Sequence, residues 1–303
     1  MRPAFSVLFL TTLIGAAQGA AIILYALFLA KGSGPDAPLA FYLTTGGVSL
    51  LLLAAGLVAS FFHLGHPERA WRAVTCWRTS WLSREVIVLP LFGFAELLWL
   101  LLLWQGDWRA AAAWGSVMAF LAIALYVCTG MIYAAVKVLR EWAHPITVVN
   151  YLLMGVASGA LLTAGIAEGL APAVAPMLAK AALWLTLIAL VGRGVSLWRN
   201  ARIPPYSTAR AIGVHHQRIR QISQGSMGGN YNMREYFHGQ PPEVVRAVLI
   251  AALGAGFLAP VVLLLLGVPA LLVFLLQYGG LLAERWYFFA EARHPQNLYY
   301  QVV

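Results

Sequence analysis

A chain of 303 residues that is 61% hydrophobic and 10% charged, with mean hydropathy +0.77, is too apolar for a soluble domain and reads as a polytopic membrane protein. Its formal charge of +9 does not point to nucleic acid, because the basic residues lie between apolar segments, where insertion electrostatics and anionic lipid account for them. The two cysteines, Cys76 and Cys128, are far apart and lack the ligand spacing of an iron–sulfur or zinc site, so an electron-carrying metal centre has to come from a partner.

A helix crosses the hydrocarbon core with roughly 20 apolar residues. Eight segments meet that length, near 5–30, 39–63, 85–105, 111–136, 145–168, 175–198, 244–267 and 269–290, which predicts an all-α bundle of eight transmembrane helices. The first resembles a secretory signal, with Arg2 before the apolar run and Gly15-Ala16-Ala17 within it. The run continues through Ile22-Ile23-Leu24, however, so it is expected to remain as a span. Eight spans put both termini on one face, and that face then carries every Lys and Arg except Lys31, Arg109 and Lys180. The imbalance assigns the termini, the 63–85 connection and the 199–243 loop to the cytoplasm.

Between the second and third spans the composition changes. The stretch Phe62-His63-Leu64-Gly65-His66-Pro67-Glu68-Arg69-Ala70 leads to Trp77-Arg78-Thr79-Ser80-Trp81-Leu82-Ser83-Arg84-Glu85. His63 closes one span and Glu85 opens the next, so both can face one pocket where a lipid-soluble molecule exchanges protons with water. Solvated interfacial anchors would have a similar composition. Arg69 or Arg84 can hold Glu85 ionised or meet lipid phosphate. Glu96 follows Glu85 by eleven residues, three turns at nearly the same azimuth, and is a candidate proton relay. Arg193, Glu284 and Arg285, with Gln18, Asn150 and Gln277, either bind the helices to one another or belong to the site, and Arg193 can instead snorkel to the interface. No haem is expected, since His66 and His144 sit at boundaries and no second histidine lies at membrane depth. The long connection from Trp198 to Glu243 and the polar-aromatic tail read as docking surfaces for a peripheral protein.

His63-Leu64-Gly65, then Pro67 and Arg69-Ala70, then Ser83 and Glu85, together with the eight-span length and Glu284-Arg285, resemble the membrane-anchor subunit family of dimethyl sulfoxide reductase. The likeness runs through essentially the whole chain, and its specific motif is confined to residues 63–85. It implies a single membrane-anchor domain over 1–303 in a bacterial cytoplasmic (inner) membrane. It further implies a quinone, ubiquinone or menaquinone, bound by His63 and Glu85, with Arg69, Ser83 and Arg84 as the supporting rim. A four-cluster iron–sulfur subunit and a molybdopterin catalytic subunit would dock on the chain, which would hold neither centre itself. The reductase anchor presents its matching face to the periplasm, whereas this Arg-rich face is expected inside. The tail from Glu284 to Asn297 resembles the branch that anchors cytoplasmic sulfite dehydrogenases, which implies electrons passing from sulfite into quinone. The alternatives are a quinol-oxidising anchor of the dimethyl sulfoxide reductase type, a purely structural tether, and a secondary transporter with Glu96, Glu284 and Arg285 on its path. Against the transporter, the two halves of the chain show no matched pair of Gly/Pro-broken segments.

Overall fold

The computed structural model describes residues 1–30, 37–62, 64–207, 209, 212–214, 218–219, 236–295 and 297, and all regular structure among them is helical. Seven helices are long and apolar enough to cross a membrane: α1 (Phe5–Leu29), α2 (Leu39–Phe61), α3 (Trp81–Gln105), α4 (Trp108–Ala134), α5 (Pro145–Leu170), α6 (Ala175–Asn200) and α7 (Pro242–Leu265). An eighth, α8 (Ala270–Glu291), has 22 residues. At about 1.5 Å per residue that length matches a core of about 30 Å. Gln277, Glu284 and Arg285 interrupt its apolar run.

Helix boundaries follow capping chemistry that the apolar pattern does not carry. Ser80 accepts the Ser83 backbone N–H at 3.3 Å, so α3 begins at Trp81 and Glu85 lies a full turn inside it, where the sequence had Glu85 opening the helix. Asp107 likewise accepts the Ala110 N–H at 3.0 Å and starts α4 at Trp108. Gly106, at φ +78°, closes α3 in the left-handed conformation that glycine adopts without strain. Within α7 a π-turn over Gly254–Leu258 precedes Pro260, whose missing N–H and ring would otherwise conflict with the preceding turn.

α1 and α5 form the centre. α1 packs on α2, α4, α5 and α8, while α5 packs on α1, α4, α6 and α8; α7 lies outside, against α8 and α6. Apolar area provides little drive for helix association in lipid, so close backbone approach matters more. Here a β-carbon on Gly159 of α5 would strike the Ala20 nitrogen of α1, and one on Gly19 would strike the Gly155 carbonyl. Large apolar side chains such as Leu51, Phe94, Phe120, Trp184 and Leu266 remain exposed on the outside, as a lipid-facing surface requires.

Polar contacts tie the helix ends together. The Met1 amine donates to the carbonyls of Phe289 (3.1 Å) and Ala292 (2.9 Å), joining the start of α1 to the end of α8. Arg199 at the end of α6 donates to the Arg140 carbonyl at 2.8 Å. At the opposite end of the bundle the Ala270 N–H meets Glu168 Oε1 at 2.9 Å, joining α8 to α5.

Candidate functional site

The connection from α2 to α3 is a 3-10 segment, Pro67–Cys76, in which no residue is buried. Arginines stack on tryptophans along it and at the next helix start: Arg72 over Trp71 (5.7 Å), Arg78 over Trp77 (5.4 Å) and Arg84 over Trp81 (4.2 Å). These pairs satisfy the arginines within the rim. Arg84 also donates to the Trp77 and Arg78 carbonyls at 3.0 and 2.9 Å, and Arg69 lies 3.6 Å from Glu68, which also meets His66 at 3.0 Å. Neither arginine is therefore paired with Glu85, the first of the two roles that the sequence left open for them. Ser83 is buried instead of lying on the rim. His63 lies outside the described residues; Phe62, before it in the chain, is 82% exposed.

Glu85 is buried within the bundle and accepts a hydrogen bond from the Thr129 hydroxyl of α4. It lines a cavity of about 30 Å³ shared by α1, α3, α4, α5 and α8, whose polar wall includes Gln18, Thr129, Tyr151, Ser158 and Arg285. The Ser158 hydroxyl has no hydrogen-bond partner among the described residues, whereas Arg285 and Tyr133 approach the Tyr151 hydroxyl. Arg285 lies 3.8 Å over the Tyr151 ring and donates to Met154 Sδ at 3.6 Å. Toward the rim, Tyr133, Trp142, Tyr151, Phe288 and Phe289 pack ring on ring, Trp142 stacking on Phe288 at 5.1 Å and donating its indole N–H to the Phe288 carbonyl at 3.0 Å.

The other intramembrane charges form a group that shares Arg285 with the cavity wall. Arg193 Nε lies 2.9 Å from Glu284 Oε1, Arg285 Nε 3.1 Å from Glu284 Oε2, and Arg193 reaches Glu291 at 3.5 Å. Arg193 is thus paired inside the bundle and does not snorkel to the interface. Gln277 donates to Thr186 at 3.2 Å and Gln18 to the Ala122 carbonyl at 3.4 Å. Glu96 is fully buried but does not line the Glu85 cavity.

A second, open groove of about 360 Å³ runs between α1 and α2, lined by Ser6, Phe9, Ala55, Val58, Ala59 and Phe62. At 100° per residue, Ser6 and Phe9 point away from Thr11, Gly15 and Gln18, so α1 separates this groove from the cavity.

Thr129, Tyr151 and Ser158 escaped the sequence reading, which weighed ionisable and amide side chains alone. Their signal is weak: single hydroxyls in apolar helices usually bond their own backbone, as Thr163 and Thr186 do here.

A helical bundle with seven candidate spans, a basic, tryptophan-rich rim and a buried carboxylate beneath it defines a multi-pass membrane protein. The chain belongs to the DMSO reductase anchor subunit family (DmsC), whose family model matches residues 1–289. It is also 45% identical, over an alignment of 326 positions covering all of both chains, to a sulfite dehydrogenase subunit of Allochromatium vinosum.

Proposed function

We propose that this chain is the quinone-exchanging anchor of a sulfite-oxidising complex, passing electrons from sulfite into ubiquinone or menaquinone. The observation that carries the reading is the Glu85 carboxylate, buried a turn beneath the Arg/Trp rim and bonded by Thr129, in a chain alike from end to end to a sulfite dehydrogenase subunit. Eight helices cross the inner membrane in this reading. The length of α8 and the contact between Met1 and the end of α8 support it, and the distribution of Lys and Arg supports cytoplasmic termini. A four-cluster iron–sulfur subunit and a molybdopterin subunit then dock on the cytoplasmic rim and the 199–243 loop.

Quinone supplies a two-electron, two-proton carrier that dissolves in lipid. A site that binds benzene takes about 150 Å³, so the 30 Å³ cavity is too small for a quinone ring, whereas the 360 Å³ groove on the other side of α1 has room for an apolar ring or tail. The chain's own task is to hold and move protons. A histidine can give or take a proton near neutral pH, so His63 serves one oxygen, and Glu85 supplies the second proton from within the bundle. Thr129 fixes the Glu85 carboxyl, and the arginine–tryptophan stacks anchor the rim at the lipid boundary.

The test is electron exchange between quinone and the complex in His63→Ala and Glu85→Gln. Each is expected to fall by about 10²–10⁴-fold, the usual loss for a positioned acid or base, while dye-linked sulfite oxidation by the molybdopterin partner survives. Normal quinone activity in both variants sinks the site. Loss of the dye-linked activity as well would mean failed assembly.

A further inference from the structure

The cavity beside Glu85 has a size, a wall chemistry and an unsatisfied Ser158 hydroxyl that together specify its content. A water molecule needs about 10–15 Å³ of such space and two to four polar partners, and the cavity offers about 30 Å³. Ser158, 1% exposed, lines it with a hydroxyl that meets no hydrogen-bond partner among the described residues, and the Tyr151 hydroxyl, which Arg285 and Tyr133 approach, lines it as well. Buried hydroxyls in native proteins are nearly always bonded to protein or ordered water. The rest of the wall narrows the choice. The Tyr126 hydroxyl is already committed to the Gly15 carbonyl at 2.6 Å, and Thr12 to the Leu8 carbonyl at 2.8 Å. Leu10, Ile14 and Leu281 contribute only apolar surface.

We propose that this cavity is a built hydration site, in which ordered water bridges the Glu85 carboxyl to the Tyr151 and Ser158 hydroxyls, with Arg285 as a positioning residue. The inference rests on the reading of Glu85 as a proton-exchanging group and gives that group its means of exchange. A carboxyl sealed among helices has no solvent to take or return its proton. Confined water supplies that partner: it accepts a proton from protonated Glu85 while passing one of its own to the Tyr151 or Ser158 hydroxyl, and the same exchange run backwards returns a proton to the carboxylate. Tyr151 belongs both to the cavity wall and to the ring-on-ring packing with Tyr133 and Phe288, which closes that side of the cavity.

Infrared difference spectroscopy of the whole complex in membranes, in ordinary water and in water enriched in oxygen-18, reads the site directly. Wild type and Ser158→Ala, which keeps the space, are expected to show an isotope-sensitive band of internal water. Ser158→Val fills the space and should abolish that band. It should also raise the carbonyl stretch of the Glu85 carboxyl, identified by its absence in Glu85→Gln, toward the position of an acid without hydrogen bonds. Leu281→Phe fills the same cavity from α8 and replaces Ser158→Val if that variant fails to assemble. An experimental structure of the wild-type complex with density between Glu85 and Ser158 makes the same point without any variant. No water band in wild type, or an unchanged water band and carbonyl stretch after filling, overturns the proposal. A water band in a complex whose Glu85→Gln variant still exchanges electrons with quinone would overturn the quinone reading and leave the hydration site standing.

Discussion

Arg193 on α6 and Glu284 on α8 meet at 2.9 Å with both side chains at 2% exposure. Arg285 and Glu291 complete the group, so two cations and two anions neutralise one another within the bundle. Removing one anion leaves a buried guanidinium uncompensated, which costs about 3–5 kcal/mol. Glu284→Gln is therefore expected to lower the melting temperature and the recovery of assembled complex well below those of Glu168→Gln, which disturbs only a half-buried contact to the Ala270 N–H. Equal melting of the two variants would show that this cluster does not couple α6 to α8.

The α1–α5 contact makes a second, independent demand. Gly159→Val would drive a side chain into the Ala20 backbone, whereas Gly169 on the same helix has open space around its β-position. Overpacking of this kind costs about 1–3 kcal/mol, and more where backbone must move. Loss of membrane-inserted protein is expected for Gly159→Val and not for Gly169→Val. Tolerance at both positions would mean that the helices pass at a greater distance.

Much of this was legible in the chain itself. Segment length and apolarity placed α1, α2, α5 and α6 to within a few residues, because the hydrocarbon core sets a length that composition must match. The starts of α3 and α4 were late in the reading because Ser80 and Asp107 fix them through single hydrogen bonds that no hydropathy average registers. Glu85 was singled out from the sequence, but its surroundings were not. Its neighbours Thr129, Tyr151, Ser158 and Arg285 come from three other helices, and only tertiary packing brings them together. Arg69 and Arg84 failed as partners for a related reason: both find carbonyls, rings or a carboxylate within their own loop.

Orientation can be read from a native reporter. Cys76 is exposed on the rim segment and Cys128 is buried. A membrane-impermeant maleimide is expected to label Cys76 in inverted vesicles and to leave intact cells unlabelled, with Cys76→Ser removing the signal. Labelling from outside intact cells would reverse the topology and turn the basic residues of the rim into docking groups.

His144 adds a pH dependence at the rim. Its Nδ1 accepts the Ile146 N–H at 3.1 Å and caps α5, a role open only to the neutral ring. Partial burial and the nearby Arg199 charge hold its pKa below the usual 6.5. A base whose folded pKa is depressed contributes stability that is present above 6.5 and lost as the pH falls through the folded value. Melting temperature should therefore decline below pH 6.5 in wild type and decline less in His144→Asn, which caps without titrating. Parallel pH profiles would remove His144 from the account.

Glu96 separates a surface site from a wire through the bundle. It is fully buried, and the Ser49 hydroxyl, which bonds the Ala17 carbonyl at 3.0 Å, is the polar group that approaches it. Burying an ionised carboxylate without a paired charge is costly, and such groups inside membranes tend to serve a function. If Glu96 only feeds protons from depth, Glu96→Gln should slow quinone exchange less than Glu85→Gln, because the cavity beside Glu85 is bounded by other residues and does not reach Glu96. Glu96→Met removes the buried polar group altogether and is expected to raise the melting temperature, with dye-linked activity unchanged. Equal loss of quinone exchange in Glu96→Gln and Glu85→Gln would instead make the two carboxyls one proton path along α3. A lower melting temperature for Glu96→Met would show that Glu96 helps to hold the bundle together.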